Sequence, residues 1–189
     1  MIVVTSTNGN VGIKESMRVL KAGGTAMDAV EAGIRLVESN PEDHSVGFSG
    51  YPNFLGQVEL DASIMDGNSL STGAVGAIKG YEHPISIARK VMESLPHVML
   101  VGQGAERFAH EMGFEQKDLL DDYARTVWKS GLDSLLAPGE FEKLDQLTLW
   151  RMIESASDPQ RVNAAIYFGK RKPEKDAGTV NFIAMDAKG

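Results

Sequence analysis

The segment Gly178–Gly189 puts a narrow requirement on the fold. A small residue precedes Thr179, and the threonine opens a short apolar strand, Val180 to Met185, that closes in the polar turn Asp186-Ala187-Lys188. Ahead of it runs Lys170-Arg171-Lys172-Pro173-Glu174-Lys175-Asp176. Such a charged run is poorly suited to a packed core and well suited to an exposed linker over 170–177. A Gly-Thr bond after a mobile linker and at the start of a buried strand fits a self-cleavage site. Cleavage between Gly178 and Thr179 would make Thr179 a new N-terminus, its hydroxyl a nucleophile and its own α-amine the base.

A chain of 189 residues is long enough for one domain with a sizeable core. Its 19 basic and 26 acidic residues leave a net charge of −7, which argues against a nucleic-acid partner, since phosphate backbones draw on clustered Lys and Arg. The one dense basic cluster, Lys170 to Lys175, is short, broken by acids and read as a solvated loop. No apolar run approaches the roughly 18 residues that span a bilayer. Met1-Ile2-Val3-Val4-Thr5 lacks the basic start of a signal peptide, so a cytoplasmic location is expected. With 0 cysteines there is no disulfide framework, thiolate metal site or cysteine nucleophile.

The pattern along the chain is mixed α and β. Met1 to Thr5 reads as a short buried strand before the turn-rich Thr7-Asn8-Gly9-Asn10. A helix follows over Lys14 to Ala22, ended by Gly23-Gly24. Thr25 is placed to cap the next helix, which runs to about Glu38. Ser39 to Gly56 is a long loop rich in Gly, Pro, Ser and Asn. Strands are expected over Val58 to Asp66, ending at an Asp66-Gly67 turn, over Ala74 to Ile78, and over His97 to Val101. Pro84 sits well at the first position of a helix over Ile85 to Leu95. Further helices are expected over Ala105 to Met112, Asp118 to Lys129 and Phe141 to Ile153.

Few of the titratable residues carry a chemical pattern. His44, His83, His97 and His110 are far apart, show no metal-ligand spacing, and read as surface or structural residues. No metal and no cofactor is expected. Asp61 and Asp66 flank one strand, but their odd separation puts them on opposite faces, so paired acid–base work is disfavoured and Asp66 is assigned to the turn. Gly102-Gln103-Gly104 follows a strand and opens a helix, the setting of a phosphate cradle. Arg107 occupies the place of a third glycine, and no Lys-Ser/Thr follows. In His44-Ser45-Val46-Gly47-Phe48-Ser49-Gly50-Tyr51-Pro52-Asn53, glycines alternate with small hydroxyl residues, letting backbone approach a reacting centre closely.

With this loop and the Gly178-Thr179 strand together, the chain resembles the N-terminal-nucleophile hydrolases of the glycosylasparaginase and plant-type asparaginase (isoaspartyl peptidase) group. The matching blocks are Ala22 to Glu31, Ser45 to Asn53, Glu59 to Gly67, Gly73 to Gly76 with Ala88 to Val91, and His97 to Gly102 with Ala105 to Phe114. They cover most of residues 1–115 in the family's order, nearer the glycosylasparaginase branch. The resemblance implies an αββα sandwich, with 1–169 as the α-subunit-like region and 178–189 as the start of the β-subunit-like region. It implies self-cleavage between Gly178 and Thr179, Thr179 as the catalytic nucleophile, and Ser45 as the serine that contacts its amine. The implied substrate is a small-molecule amide, asparagine or an N4-linked derivative, split through an acyl-enzyme to release aspartate.

The chain departs from the family at four points. Thr7 and Gly9 stand where the glycosylasparaginase branch has a tryptophan and a phenylalanine, and Asn181 replaces a glycine two residues past the nucleophile. Family precursors also continue well beyond the threonine into a part that carries the oxyanion-hole threonine and the Arg and Asp that hold the substrate. Loss of one oxyanion donor costs on the order of 10²–10³-fold. A sheet lacking those strands exposes apolar edges, so a companion β-subunit chain or a homo-oligomer is expected. Two other readings remain open: a non-catalytic precursor-like fragment acting as a structural or interaction module, and a small nucleotide-binding domain resting on Gly102-x-Gly104.

Overall fold

The computed structural model describes residues 1–53, 55–133 and 178–189. The helix expected over 141–153 and the linker over 170–177 lie outside these residues.

Two sheets and their helices form the described fold. Strand β1 (Ile2–Thr5) leads through a 3₁₀ turn (Thr7–Val11) into helices α1 (Ile13–Lys21) and α2 (Ala26–Glu38). After a long loop come β2 (Leu60–Met65), β3 (Thr72–Ile78), α3 (Pro84–Ser94), β4 (Met99–Val101), α4 (Gly102–Glu111) and α5 (Asp122–Asp133). Strand β5 (Phe182–Met185) returns to pair with β1, antiparallel, with Ile2 opposite Met185 and Thr5 opposite Phe182. The second sheet has the order β2-β3-β4, with β2 and β3 antiparallel and β3 and β4 parallel across the α3 connection.

Local chemistry sets the helix boundaries. Thr25 and Asp28 form a reciprocal capping box at the start of α2: Thr25 Oγ1 accepts the Asp28 amide and Asp28 accepts the Thr25 amide. Pro84 opens α3 where no intrahelical donor is needed. The helix expected over Asp118 to Lys129 instead runs from Asp122. Asp121 Oδ1 accepts the Ala124 amide at 2.7 Å and so takes the cap, while Asp118 closes a turn onto the Leu120 amide.

One apolar cluster joins α2, α3 and α4 to β2 and β3, through Ile34, Val37, Ile64, Val75, Ile87, Val91 and Phe108. Each such side chain contributes roughly 1.5–3 kcal/mol by leaving water. Arg89 on α3 binds Asp28 and Glu31 of α2 at 2.8 and 2.7 Å and Glu93 on its own helix at 2.7 Å, fixing α3 against α2. The β1–β5 ribbon is seated by Phe182, whose ring lies where a Cβ on Gly33 or Gly9 would stand, within 2.6 and 2.7 Å. Any side chain at either glycine would displace that ring.

The first strand is not the buried strand its apolar residues suggest. Ile2 and Val4 are 54% and 56% exposed, and their cross-strand partners Met185 and Ile183 are exposed with them. A ribbon of two strands covers one face with Val3, Thr5, Phe182 and Ala184 and leaves the other open among the described residues. The connection after β2 also differs from a two-residue Asp-Gly hairpin. It spans Asp66 to Ser71, with the Asp66 amide donating to Ser71 O and the Asp66 carboxylate accepting from Asn68 N and from Ser69 N and Oγ.

Candidate functional site

The loop after α2 is fastened at both ends before it offers a side chain to anything. The Phe48 amide donates to the carbonyl of Glu38, the last residue of α2, at 2.7 Å. Gly47 has φ +65, and a Cβ there would lie 2.0 Å from that carbonyl oxygen, so only glycine fits. Ser49 is fully buried, and its amide donates to Leu119 O at 2.9 Å. His44 Nδ1 sits 2.8 Å from the Ser49 carbonyl oxygen, which can only accept, so the contact calls for the Nδ1–H tautomer. The His44 ring packs between Tyr51 and Tyr123 at 5.1 and 4.8 Å. Lys117 Nζ covers the Phe48 ring at 4.2 Å.

Ser45 stands in this fastened loop. Its hydroxyl and its amide both donate to Asp43 Oδ1, the amide at 3.0 Å. Asp43 Oδ2 accepts from Asn8 Nδ2 at 3.0 Å, and Asn8 Oδ1 accepts from the Ser6 hydroxyl at 2.7 Å. Ser6 Oγ in turn accepts the amide of Asn181 at 3.0 Å, while the Ser6 amide donates to Asn181 O at 3.1 Å. A continuous chain of hydrogen bonds thus runs from Ser45 to the backbone two residues past Thr179.

At its far end β5 is held as well. Asp186 Oδ2 accepts the Ala26 amide at 3.0 Å and Oδ1 accepts the Lys188 amide at 2.8 Å. These amides hold the Asp186 carboxyl below the usual 3.8.

A cavity of about 1120 Å³ lies between α2, the Ser45–Gly47 segment, β2, β3 and the segment from Gly178 to Ala184. Ser45, Gly178, Thr179 and Asn181 line its wall, and Thr179 is an exposed residue. Glu38 reaches the same wall although it is only 3% exposed. Its Oε1 accepts the Ile85 amide in the first turn of α3 at 3.1 Å, and Oε2 lies 3.3 Å from His83 Nδ1. Burial pushes the Glu38 carboxyl above its ordinary 4.5, against the opposing pull of His83 and the Ile85 amide.

The structure brings Ser45 and Thr179 to one cavity, whose lining also includes Asp61 and Asp66, but the carboxylates of both acids are engaged in backbone hydrogen bonds. Asp61 Oδ1 accepts the Ala77 amide at 2.8 Å, supporting a positive φ of 48 at Ala77 beside the register shift at Leu60/Ala62. Asp66 is consumed by its turn. Gly102–Gly104 form the first turn of α4, which starts three residues before the expected Ala105, and they do not line the cavity. His97 and His110 are exposed, whereas His44 and His83 are structural. Among the described residues no group of three or more His, Asp or Glu is disposed to hold a metal ion, and no helix is long and apolar enough to cross a membrane.

Sequence reasoning passed over Asp43, Asn8, Ser6 and Glu38. The Asp43-x-Ser45 spacing carries a local signal, because an aspartate readily accepts the amide two residues on. Asn8 and Ser6 carry none, since only folding brings them to the loop.

Comparison with known proteins places the chain in a family. A profile described as asparaginase matches residues 5–189. The chain is 49% identical over 118 residues to the N(4)-(β-N-acetylglucosaminyl)-L-asparaginase of Elizabethkingia miricola, covering 62% of this chain and 34% of that protein. It is 35% identical over 175 residues to the isoaspartyl peptidase/L-asparaginase of Mus musculus, covering 93% and 45%. With the plant-type L-asparaginase of Pyrococcus furiosus it shares 41% identity over 143 residues, covering 72% and 46%. The chain spans less than half the length of these relatives. With the profile matched over nearly its whole length, the chain belongs to the asparaginase family of N-terminal-nucleophile hydrolases.

Proposed function

We propose that this chain carries the nucleophile of an amidohydrolase that processes itself at Gly178-Thr179 and then splits the side-chain amide of asparagine or an N4-substituted asparagine. The observation that supports this reading is the presence of Thr179 and Ser45 on the wall of one cavity, with Ser45 linked by a hydrogen-bond chain to the backbone of Asn181 just past Thr179, although the two lie far apart in the sequence.

In the self-cleavage step the Thr179 hydroxyl adds to the Gly178 carbonyl carbon. The C–N bond breaks to leave an ester and a free amine, and water hydrolyses the ester. The freed amine then takes the proton of the Thr179 hydroxyl as its oxygen attacks the substrate amide carbon. The leaving amine or ammonia carries a proton away, and water splits the acyl-enzyme to give aspartate and restore Thr179. Ser45 orients the amine.

The matching architecture is an αββα sandwich, with residues 1–169 as the α-subunit-like region and 178–189 opening the β-subunit-like region. Support comes from α1 and α2 packing on the β1–β5 ribbon and α3 on β2 and β3. The open apolar face of Ile2, Val4, Ile183 and Met185 favours a companion β-subunit or a second copy as its cover. The same face supports the second reading, a non-catalytic interaction module. Aspartate release from asparagine, measured for wild type and Thr179→Ala, separates the two. The enzyme reading expects the variant to fall by more than about a thousandfold, and equal rates would overturn it.

A further inference from the structure

Ser45 has one proton to donate and two lone pairs to offer. Its proton goes to Asp43 Oδ1. Toward the cavity it is therefore an acceptor only. That matters for an amine that must act as a base: a hydroxyl donating to the amine nitrogen would occupy the lone pair that has to take the nucleophile's proton. A hydroxyl that accepts an N–H instead leaves the lone pair free and turns it toward the nucleophile oxygen.

The direction of that one proton is set from further away. Both Asp43 oxygens act as acceptors, Oδ1 for Ser45 and Oδ2 for Asn8 Nδ2. Asn8 can present its amide nitrogen to Asp43 because its oxygen is taken by the Ser6 hydroxyl. The Ser6 hydroxyl donates there because its oxygen receives the Asn181 amide. Every donor in the chain meets an acceptor, and turning the Asn8 amide round would set its oxygen against the Asp43 carboxylate, two acceptors face to face.

We propose that Asp43, polarised through Asn8 and Ser6, is a positioning residue that commits the Ser45 hydroxyl to accept from the amine of Thr179 and fixes its distance from the strand that Thr179 begins. This deepens the proposed function and rests on its assignment of Thr179 and Ser45. Asp43 touches no reacting atom, so its effect passes through Ser45 alone.

The test uses the full chain, with asparagine as substrate and intact mass as a second readout. Asp43→Asn presents an amide where Asn8 already offers one. It is expected to lower kcat on the order of tenfold, the worth of one hydrogen bond to a charged group, with KM changed less than about twofold. Asn8→Asp alone is expected to do the same. The double substitution Asp43→Asn with Asn8→Asp restores a donor facing an acceptor at that contact, and is expected to return kcat to within about threefold of wild type. A loop that merely needs an aspartate for its turn predicts no such rescue. Asn8→Ala, which cuts the relay at an uncharged side chain, covers the case in which Asp43→Asn does not fold, and it too is expected to lower kcat. Unchanged kcat in the folded single variants, or no rescue in the double, would overturn the proposal. Thr179→Ala run alongside keeps the two levels apart: if it retains full activity, the assignment of the nucleophile fails rather than that of Asp43.

Discussion

Asp186, at the end of the last strand, accepts the backbone amide of Ala26 at the start of α2 across a sequence separation of 160 residues. That bond pins the register of β5 and hence the point from which Thr179 enters the cavity. Asp186→Ala is expected to lower the thermal midpoint and to expose the Ala26 and Met185 amides to hydrogen exchange. The contribution is pH-dependent with a definite sign. The folded carboxyl sits below 3.8, so its stabilisation is present above the ordinary value and is lost as pH falls through the lower one. The difference between wild type and Asp186→Ala is expected to vanish in strong acid. A constant difference down to that range would argue against a hydrogen bond to the ionised carboxylate.

Gly33 and Phe182 form a close contact that admits no methyl group. A Cβ at Gly33 would lie 2.1 Å from Ser16 Oγ and 2.6 Å from the Phe182 ring. Gly33→Ala is expected to destabilise by about 1–3 kcal/mol through overpacking, although alanine is the better helix former. Chemical denaturation checks this, and a stabilised variant would mean that β5 does not pack on α2 as described.

Glu38 has the opposite pH sign from Asp186. Burial raises its carboxyl above 4.5, so the folded state holds this proton more tightly than the unfolded chain. Its contribution is complete below about pH 4.5 and declines as pH rises through the raised value. Glu38→Gln keeps an acceptor for Ile85 N and cannot ionise. Relative to wild type it is expected to gain stability as pH climbs above 4.5, read from unfolding midpoints. Glu38→Ala leaves the Ile85 amide without its acceptor and is expected to cost about 1–3 kcal/mol.

Thr25→Ala removes one arm of the α2 capping box and is expected to cost about 1 kcal/mol. Asp28 would still hold Arg89, so the loss is confined to the helix end. Thr25→Ser is expected to keep most of it, and an equal loss in both variants would assign the effect to packing instead of the cap.

Local chemistry was legible wherever a short pattern decides the outcome. Thr25 as a cap, Pro84 at the start of α3, and the apolar strands around Val75 and Leu100 all follow from residues near in sequence. Boundaries failed where two acids compete, as Asp118 and Asp121 do before α5. The exposed face of Ile2 and Val4 was not legible either, because strand composition does not say how many neighbours a strand has. Thr179 and Ser45 stood out through local motifs and the family resemblance. The Ser6–Asn8–Asp43 relay joining them did not, since its members come from three places that meet only after folding.

The central claim is that Thr179 becomes the N-terminal nucleophile. Intact mass and N-terminal sequencing of the purified protein, wild type beside Thr179→Ala, test it most directly. A wild-type fragment beginning at Thr179, with the variant left uncut at that bond, is the expected result. A wild-type chain that remains uncut while releasing aspartate from asparagine, or a variant cut at the same bond, would contradict it.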